Sequence, residues 1–431
     1  MNLLNEYKNG LLILLMLFSG GRVAAQVDTT FKQLKLTFPT YLKMVGEHNL
    51  GYAAEKFKVS IAQADALSAK VFPDPELSFG AGDHGQRRMK MGYEISSGLS
   101  YTLELGGKRR ARINLANREA ELAQLLLDDY FRNLRVDASA AYLHAIKERE
   151  LLRVKMNSYE MMKRLSSSDS IRLKMGAITA VDARQSRLEA ASQLNEVFQQ
   201  EADWKAAVAK LNLLIGSKQR DLFYQPEADM KKLDRVFNLQ ELILNAQNRR
   251  TDLLAALKSN EISVSLLKLA KAARTLDLGL SIGLASNSVV ANAVAPTPSS
   301  TNVTIGFSIP LKFSNQNQGA LKSARYGVQQ GEVLYKQTEL QIQTEVTQAY
   351  YNYLAGRKQV AQFGEGMLLD AQKVLDGKVY SYKRGETSLL EVLTAQRTFN
   401  DVQQSYLETL NVYGDALLEL ERAAGIWDIE F

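Results

Sequence analysis

Between Met91 and Leu105 the chain alternates. Met91, Tyr93, Ile95, Leu99, Tyr101, Leu103 and Leu105 are apolar, and the positions between them, from Gly92 and Glu94 to Thr102 and Glu104, are small or polar. A period of two predicts a strand whose two faces meet different surroundings. After Gly106-Gly107 the spacing lengthens to seven, through Ile113, Ala120, Leu127, Leu134 and Ala141. A sustained seven-residue repeat predicts a long helix under left-handed supercoiling. The same succession returns later in the chain. Leu276, Leu278, Leu280, Ile282 and Leu284 alternate, then Val303, Ile305, Phe307, Ile309 and Leu311. The heptad then resumes at Leu321, Val328, Tyr335, Ile342 and Ala349.

The return is a duplication. Gly98–Ala116 lies on Gly306–Ala324 without gaps at an offset of 208, and Ala141-Tyr142 falls on Ala349-Tyr350. Upstream the offset is 201 to 202, with Glu76–Gly82 on Asp277–Gly283. Downstream it is 209, with Gly176 on Gly385, Asp182 on Glu391 and Gly216 on Gly425. The large shift falls in the polar loops between paired strands, where insertions are tolerated. Each unit reads as helix, strand, loop, strand, long helix, turn, return helix. In the first unit these are Phe38–Val71, Glu76–Gly82, the loop Asp83–Lys90, Met91–Leu105, Lys108–Arg164 and Val181–Leu214. In the second they are Leu239–Arg274, Leu276–Leu284, the loop Ser286–Thr301, Asn302–Phe313, Asn315–Lys378 and Leu389–Ala424. The expected organisation is a leader over 1–25, a first repeat over 26–216, a linker over 217–238 and a second repeat over 239–431.

Apolar residues on one strand face and small polar residues on the other are the pattern of a transmembrane β-barrel. A soluble antiparallel sheet with one face on a core is the alternative. A barrel in lipid cannot leave an edge unpaired, and four strands per chain are too few to close one. Three chains would supply about twelve strands and a water-filled lumen, whereas two would supply about eight, nearly filled by side chains. The long helices would run on the order of 90 Å at about 1.5 Å per residue. The expected fold class is therefore mainly α with a transmembrane β-barrel, four strands per chain closing a 12-stranded barrel in a homotrimer. A long periplasmic coiled-coil barrel of helices would continue below it. The shorter helices, stacked end to end, would cover each long one.

Composition narrows the compartment. Lys8 precedes the apolar run Leu11–Phe18, and small residues at Val23 and Ala25 follow, which reads as a secretory signal cleaved after Ala25. The run is too short for a membrane-spanning helix. The 431 residues include no cysteine, so neither a disulfide framework nor a lipid-anchor cysteine is expected. The formal net charge of +6 is spread in both signs along helical faces, a solvated surface rather than a nucleic-acid footprint. No phosphate-binding loop, nucleophile elbow or zinc-protease motif is present. No enzyme, cofactor or nucleic-acid partner is expected.

With these residues in view, the chain resembles the TolC family of outer-membrane efflux factors over essentially its whole length after the leader. "FPDPELSFGAG" resembles the family's entry to the first hairpin, and "LELGGKRRARI" and "IPLKFSNQNQGAL" its two strand-to-helix junctions. "KRGETSLLEVLTAQ" and, less closely, "KMGAITAVDARQSRLEA" resemble its periplasmic turns. The junctions are nearest the branch serving heavy-metal cation pumps. The resemblance implies an outer-membrane homotrimer that acts as a passive duct and docks a periplasmic adaptor protein and an inner-membrane pump, which supplies the energy.

The two helix turns are the first site candidates. Met175, Gly176, Ala177 and Thr179, and Arg384, Gly385, Glu386 and Ser388, place a glycine where a helix reverses, and the resemblance adds contact with the adaptor. Asp182 and Glu391 each follow the turn glycine by six residues. Repeated around an axis they would form a carboxylate ring, which selects cations in pores; the plainer role is a first-turn acid facing the helix dipole. Three residues after Glu391, where the resemblance implies a second acid in some family members, this chain has Thr394. Glu94 and Glu104 are expected to face the barrel lumen. Lys108, Arg109 and Arg110 are expected to snorkel at the membrane interface. His48, His84 and His144 are far apart, and His84 with Met89 and Met91 makes a poor start for a soft-metal site; no resident metal is expected. Three alternatives stay open: a duct for drugs or secreted protein, a periplasmic structural coiled coil, and a hydrolase pairing Asp182 with Glu391.

Overall fold

The computed structural model describes residues 32–85, 89–217, 222–227, 233–311 and 317–429; the expected leader lies outside them. The first half runs β1 (Lys32–Thr37), α1 (Phe38–His48), α2 (Leu50–Ser68), β2 (Glu76–Asp83), β3 (Tyr93–Leu103), α3 (Lys108–Lys174) and α4 (Ala180–Ile215). The second runs β4 (Leu222–Glu227), α5 (Leu239–Arg249), α6 (Thr251–Ala272), β5 (Leu278–Asn287), β6 (Ser300–Ser308), α7 (Gln318–Gln362), α8 (Leu368–Arg384) and α9 (Leu389–Ala424).

Four strands form one antiparallel sheet in the order β2-β3-β5-β6. The register aligns the alternation of every strand. Leu77, Leu99, Ile282 and Ile305 stand in one row, and Ser78, Gly98, Gly283 and Thr304 in the next. The apolar row is between 46% and 70% exposed, so this face covers no core within the chain. At the foot of the sheet, Gly106 takes φ +72°, and a Cβ there would lie 2.2 Å from the Thr275 hydroxyl. Only glycine fits that turn into α3.

Below the sheet, α3 runs unbroken for 67 residues, ten residues past the expected end at Arg164. The helix expected over Phe38–Val71 is instead broken at Asn49, and the one over Leu239–Arg274 at Arg250. Both breaks have the same cause. Asn49 caps α2 by accepting the Tyr52 N–H, and its amide donates to the Leu214 carbonyl at the end of α4 (both 2.9 Å). Arg250 donates to the equivalent Ala423 carbonyl at the end of α9 (3.1 Å). Each return helix thus butts end-on against the short helix leading to the sheet, and the two together line one long helix, as the lengths predict. Gly216, at φ +72°, makes the first joint tight, because a Cβ would lie 2.4 Å from the His48 carbonyl oxygen.

Two further departures concern the second half and the linker. The helix expected over Asn315–Lys378 is interrupted by a π-helical turn at Phe363–Met367, where Gly366 takes φ +130°. Part of the linker forms β4, which pairs in parallel with β1, a pairing absent from the sequence reading. Tyr142 ties the pair together: its hydroxyl lies 2.6 Å from the Leu36 and Glu227 carbonyl oxygens and accepts the Glu227 N–H (3.0 Å). Tyr353 anchors the end of the linker on the second half, accepting the Arg235 N–H (2.8 Å) beside the Leu233 and Arg235 carbonyls. The main core gathers around these tyrosines, with Phe38, Tyr41, Leu143, Leu211 and Leu417 fully buried.

Candidate functional site: the sheet, its edges and the helical tips

The far end of the helical body consists of two reversals. The α3–α4 turn places Gly176 at φ +74°, and the α8–α9 turn places Gly385 at φ +78°. Thr179 caps α4, accepting the Asp182 N–H (3.1 Å), while the Asp182 carboxylate accepts the Thr179 backbone N–H (3.4 Å) in a reciprocal capping box and also the Thr179 hydroxyl (2.8 Å). Ser388 caps α9 by accepting the Glu391 N–H (3.4 Å). Met175, Ala177, Arg384 and Glu386 belong to these turns; Met175 is exposed, and Arg384 pairs with Glu386 at 2.8 Å.

Asp182 is half-buried and Glu391 exposed, each at the third position of its helix. The Lys378 ammonium, 2.5 Å from Glu391, holds that carboxyl below the usual carboxylate range. The Thr394 hydroxyl donates to the Leu390 carbonyl within its own helix (2.9 Å). The two carboxylates therefore sit in separate hairpins, each with its own partner, an arrangement unlike an acid pair sharing one cleft.

The two hairpins are joined by residues the sequence reading missed. Tyr382 of α8 donates to the fully buried Asp169 of α3 (3.0 Å), and the Arg172 guanidinium lies 4.7 Å from the Tyr382 ring centre. Burial and the Asp169 contact push the Tyr382 hydroxyl well above its ordinary pKa. Higher up, Ser158 of α3 receives N–H bonds from Gln396 (3.1 Å) and Asn400 (2.8 Å) of α9 and donates to Gln193 of α4 (3.0 Å). The available signal was the Gln396/Asn400 pair, four residues apart in line with apolar Val392 and Leu393.

At the sheet, Glu94 stands across from Gly82 and Asn287 on the small-residue face, with His84 3.7 Å away. Glu104 lies past the end of β3 and forms a bidentate pair with Arg112 (2.7 and 3.1 Å), so strand alternation does not set its direction. Lys108 is paired with Asp277 at 2.6 Å, and Arg109 donates twice to the Lys70 carbonyl (2.9 and 2.6 Å). Both hold the strand-to-helix junction rather than reaching outward. His144 lies 3.6 Å from Glu148. Among the described residues no three His, Cys, Asp or Glu side chains gather closely enough to hold a metal ion, and no helix is long and apolar enough to cross a membrane.

The sheet, with its uncovered apolar face, is thus carried on two repeated coiled-coil hairpins. The family model for outer membrane efflux proteins matches residues 45–217 and 242–426. The chain belongs to the outer membrane efflux protein family. It is 24% identical over 392 residues to the cobalt-zinc-cadmium resistance protein CzcC of Cupriavidus metallidurans, covering 90% of each chain. Its fold matches the crystal structure of CusC, a transmembrane channel, with a TM-score of 0.74 at 19% identity, over 90% of this chain and 92% of that one. It also matches the Campylobacter jejuni CmeC outer membrane channel with a TM-score of 0.72 at 15% identity, over 90% and 85% of the two chains. The efflux protein is thus built as an outer-membrane channel component whose two halves repeat one unit.

Proposed function

We propose that this efflux protein is the passive outer-membrane duct of a tripartite export system, a homotrimer that carries small solutes, chiefly heavy-metal cations, from a periplasmic adaptor and an inner-membrane pump to the outside. The observation that carries the reading is the sheet: four strands, one face apolar and exposed, and free edges at β2 and β6. Unpaired backbone at an edge costs several kcal/mol per group in lipid, so neighbouring copies must supply the missing strands. The outer helices support the same conclusion. Tyr326, Val333 and Leu340 recur every seven residues along α7 and are exposed, and α2 exposes Phe57, Ile61 and Leu67. Such seams pack against another helix. The likeness to CzcC supports metal cations as cargo.

In this reading the turns at Met175–Thr179 and Arg384–Ser388 dock the adaptor, and Asp182 and Glu391 from three copies ring the narrow end. Deleting the gene and measuring growth against two panels tests the assignment. Sensitivity to zinc, cobalt, cadmium, nickel, copper or silver salts is expected. Sensitivity only to bile salts, dyes and antibiotics would keep the duct and remove the metal cargo. For the ring, Asp182→Asn with Glu391→Gln should lower cation selectivity in single-channel recordings; unchanged selectivity would remove it.

A further inference from the structure

The duplication makes one contact inside the chain a template for a contact between copies. Within the chain α3 packs beside α6, and a cleft between them is lined by Asn114, Asn117, Arg118 and Glu121 on one side and Lys258, Glu261 and Lys268 on the other. Two of its three cations are paired: Glu261 pairs with Arg118 and with Lys258 (2.8 Å), and Lys258 also reaches Glu121 (2.8 Å), which leaves Lys268 as the cation without a carboxylate partner among the described residues. At the repeat offset of 208, Asn114, Asn117, Arg118 and Glu121 become Lys322, Arg325, Tyr326 and Gln329 of α7. At the offset of 201, Lys258, Glu261 and Lys268 become Phe57, Ser60 and Leu67 of α2. In the trimer, on which this inference rests, that α7 face meets the α2 face of the next copy.

This second seam is not balanced. Arg274, Lys322 and Arg325 line a cleft of about 580 Å³, and among the described residues none of the three has a carboxylate partner. No acidic residue occurs between Leu278 and Gly331, and Asp277 is engaged by Lys108 at 2.6 Å. The opposing face offers only Phe57, Ser60, Ala64 and Leu67. Of the acids on α2, Glu55 pairs with Lys58 at 2.8 Å, and Asp65 occupies the position of Leu266, off the contact face. Toward the sheet the next copy brings Asp74 and Glu76, at the positions of Thr275 and Asp277, so three cations meet two acids set at one end of the seam, and the excess positive charge repels itself unless an anion joins it.

The level in the fold says which anion. The backbones of Lys322 and Arg325 stand about 6 and 10 Å below the start of α7 at about 1.5 Å per residue, but side chains on a helix lean toward its N-terminus, which carries both long side chains up toward the sheet, into one cleft with Gln318 and with Arg274 just before β5. The polar headgroup layer occupies roughly the first 5–7 Å beyond the hydrocarbon, and Tyr326, exposed beside the cations, is an interfacial residue type. Guanidinium pairs match phosphate oxygens with forked geometry. We propose that each seam between copies binds the phosphate of an anionic phospholipid headgroup through Arg274, Lys322 and Arg325.

Native mass spectrometry of the detergent-solubilised trimer tests this, with phosphatidylglycerol, chain-matched phosphatidylethanolamine and inorganic phosphate as the three probes. Wild type should keep phosphatidylglycerol, one molecule per seam, at least about tenfold better than the zwitterionic lipid. Lys322→Gln with Arg325→Gln should abolish that preference, and Lys336→Gln, on an exposed stretch of the same helix, should leave it intact. Equal retention of both lipids by wild type, or an unaltered preference in the double variant, overturns the site. Displacement of the lipid by millimolar inorganic phosphate overturns the lipid as its source. A purely monomeric species overturns the trimeric reading itself, before any lipid is counted.

Discussion

Replacing Arg250 by alanine should weaken the second helix joint far more than its position in a short helix break suggests. The side chain is 3% exposed and makes two ion pairs, to Asp252 at 2.5 Å and Glu345 at 2.7 Å, as well as the bond to the Ala423 carbonyl. Removing one member of a buried ion pair costs about 3–5 kcal/mol because the partner charge is left stranded. Asp252 and Glu345 keep 29% and 28% of their side-chain surface, so water offsets part of this and the lower end, about 3 kcal/mol, applies. Asn49→Ala at the equivalent neutral joint removes a cap worth about 1 kcal/mol and a hydrogen bond of about 1 kcal/mol. At roughly 2 °C per kcal/mol for a chain of this size, trimer melting should fall by about 6 °C in the first case and about 4 °C in the second. Acid separates them further. Although burial works against it, pairing with Arg250 leaves the Asp252 pKa below its ordinary value. That carboxylate therefore contributes stability above the unfolded pKa, and the contribution is lost as pH falls through the depressed folded value. The Arg250→Ala deficit should be full at pH 7 and shrink below about pH 4, whereas the Asn49→Ala deficit should not change. Melting curves of both variants at pH 7 and pH 3.5 decide the matter; an Arg250 deficit independent of pH would refute the ionic account of the joint.

Other positions give independent checks. Gly216→Ala combines a left-handed backbone with a Cβ 2.4 Å from a carbonyl oxygen, whereas Gly385→Ala meets the same backbone penalty with nothing within 4 Å. The first should lower trimer yield sharply, and the second should cost only about 1–2 kcal/mol, read as melting temperature. Tyr382→Phe strips a hydrogen bond from a buried carboxylate, worth about 1.5–3 kcal/mol, and should speed trypsin cleavage at Lys383 and Arg384 without altering cleavage near the sheet. Glu421 is fully buried, and burial with Asp428 nearby pushes its carboxyl from 4.5 up to about 8. The native state then holds a proton that the unfolded chain releases, so stability should fall as pH climbs from about 5 to 8, by an amount on the order of a few kcal/mol. Glu421→Gln should flatten that slope in pH-dependent melting.

The arrangement that makes these joints equivalent was written in local pattern. Period two marked four strands because a strand's neighbours on either face differ at every residue. Period seven marked the long helices because every second turn of a coiled coil repeats the same contact. The reversals at Gly176 and Gly385, with Thr179 and Ser388 three residues later, were legible for the same reason: caps and left-handed turns are settled within a few residues. Helix breaks at Asn49 and Arg250 were not, since what ends those helices is the exposed carbonyl end of another helix, Leu214 or Ala423, far along the chain. The β1–β4 pair, the Tyr382–Asp169 contact and the Ser158 layer share that character. Each joins groups from distant segments, and no local spacing records which buried hydrogen-bonding group will find which partner. Local spacing thus carried the repeated unit and its two-faced strands, whereas packing between distant segments settled where that unit bends, which charges it pairs inside, and which it leaves open toward a neighbour.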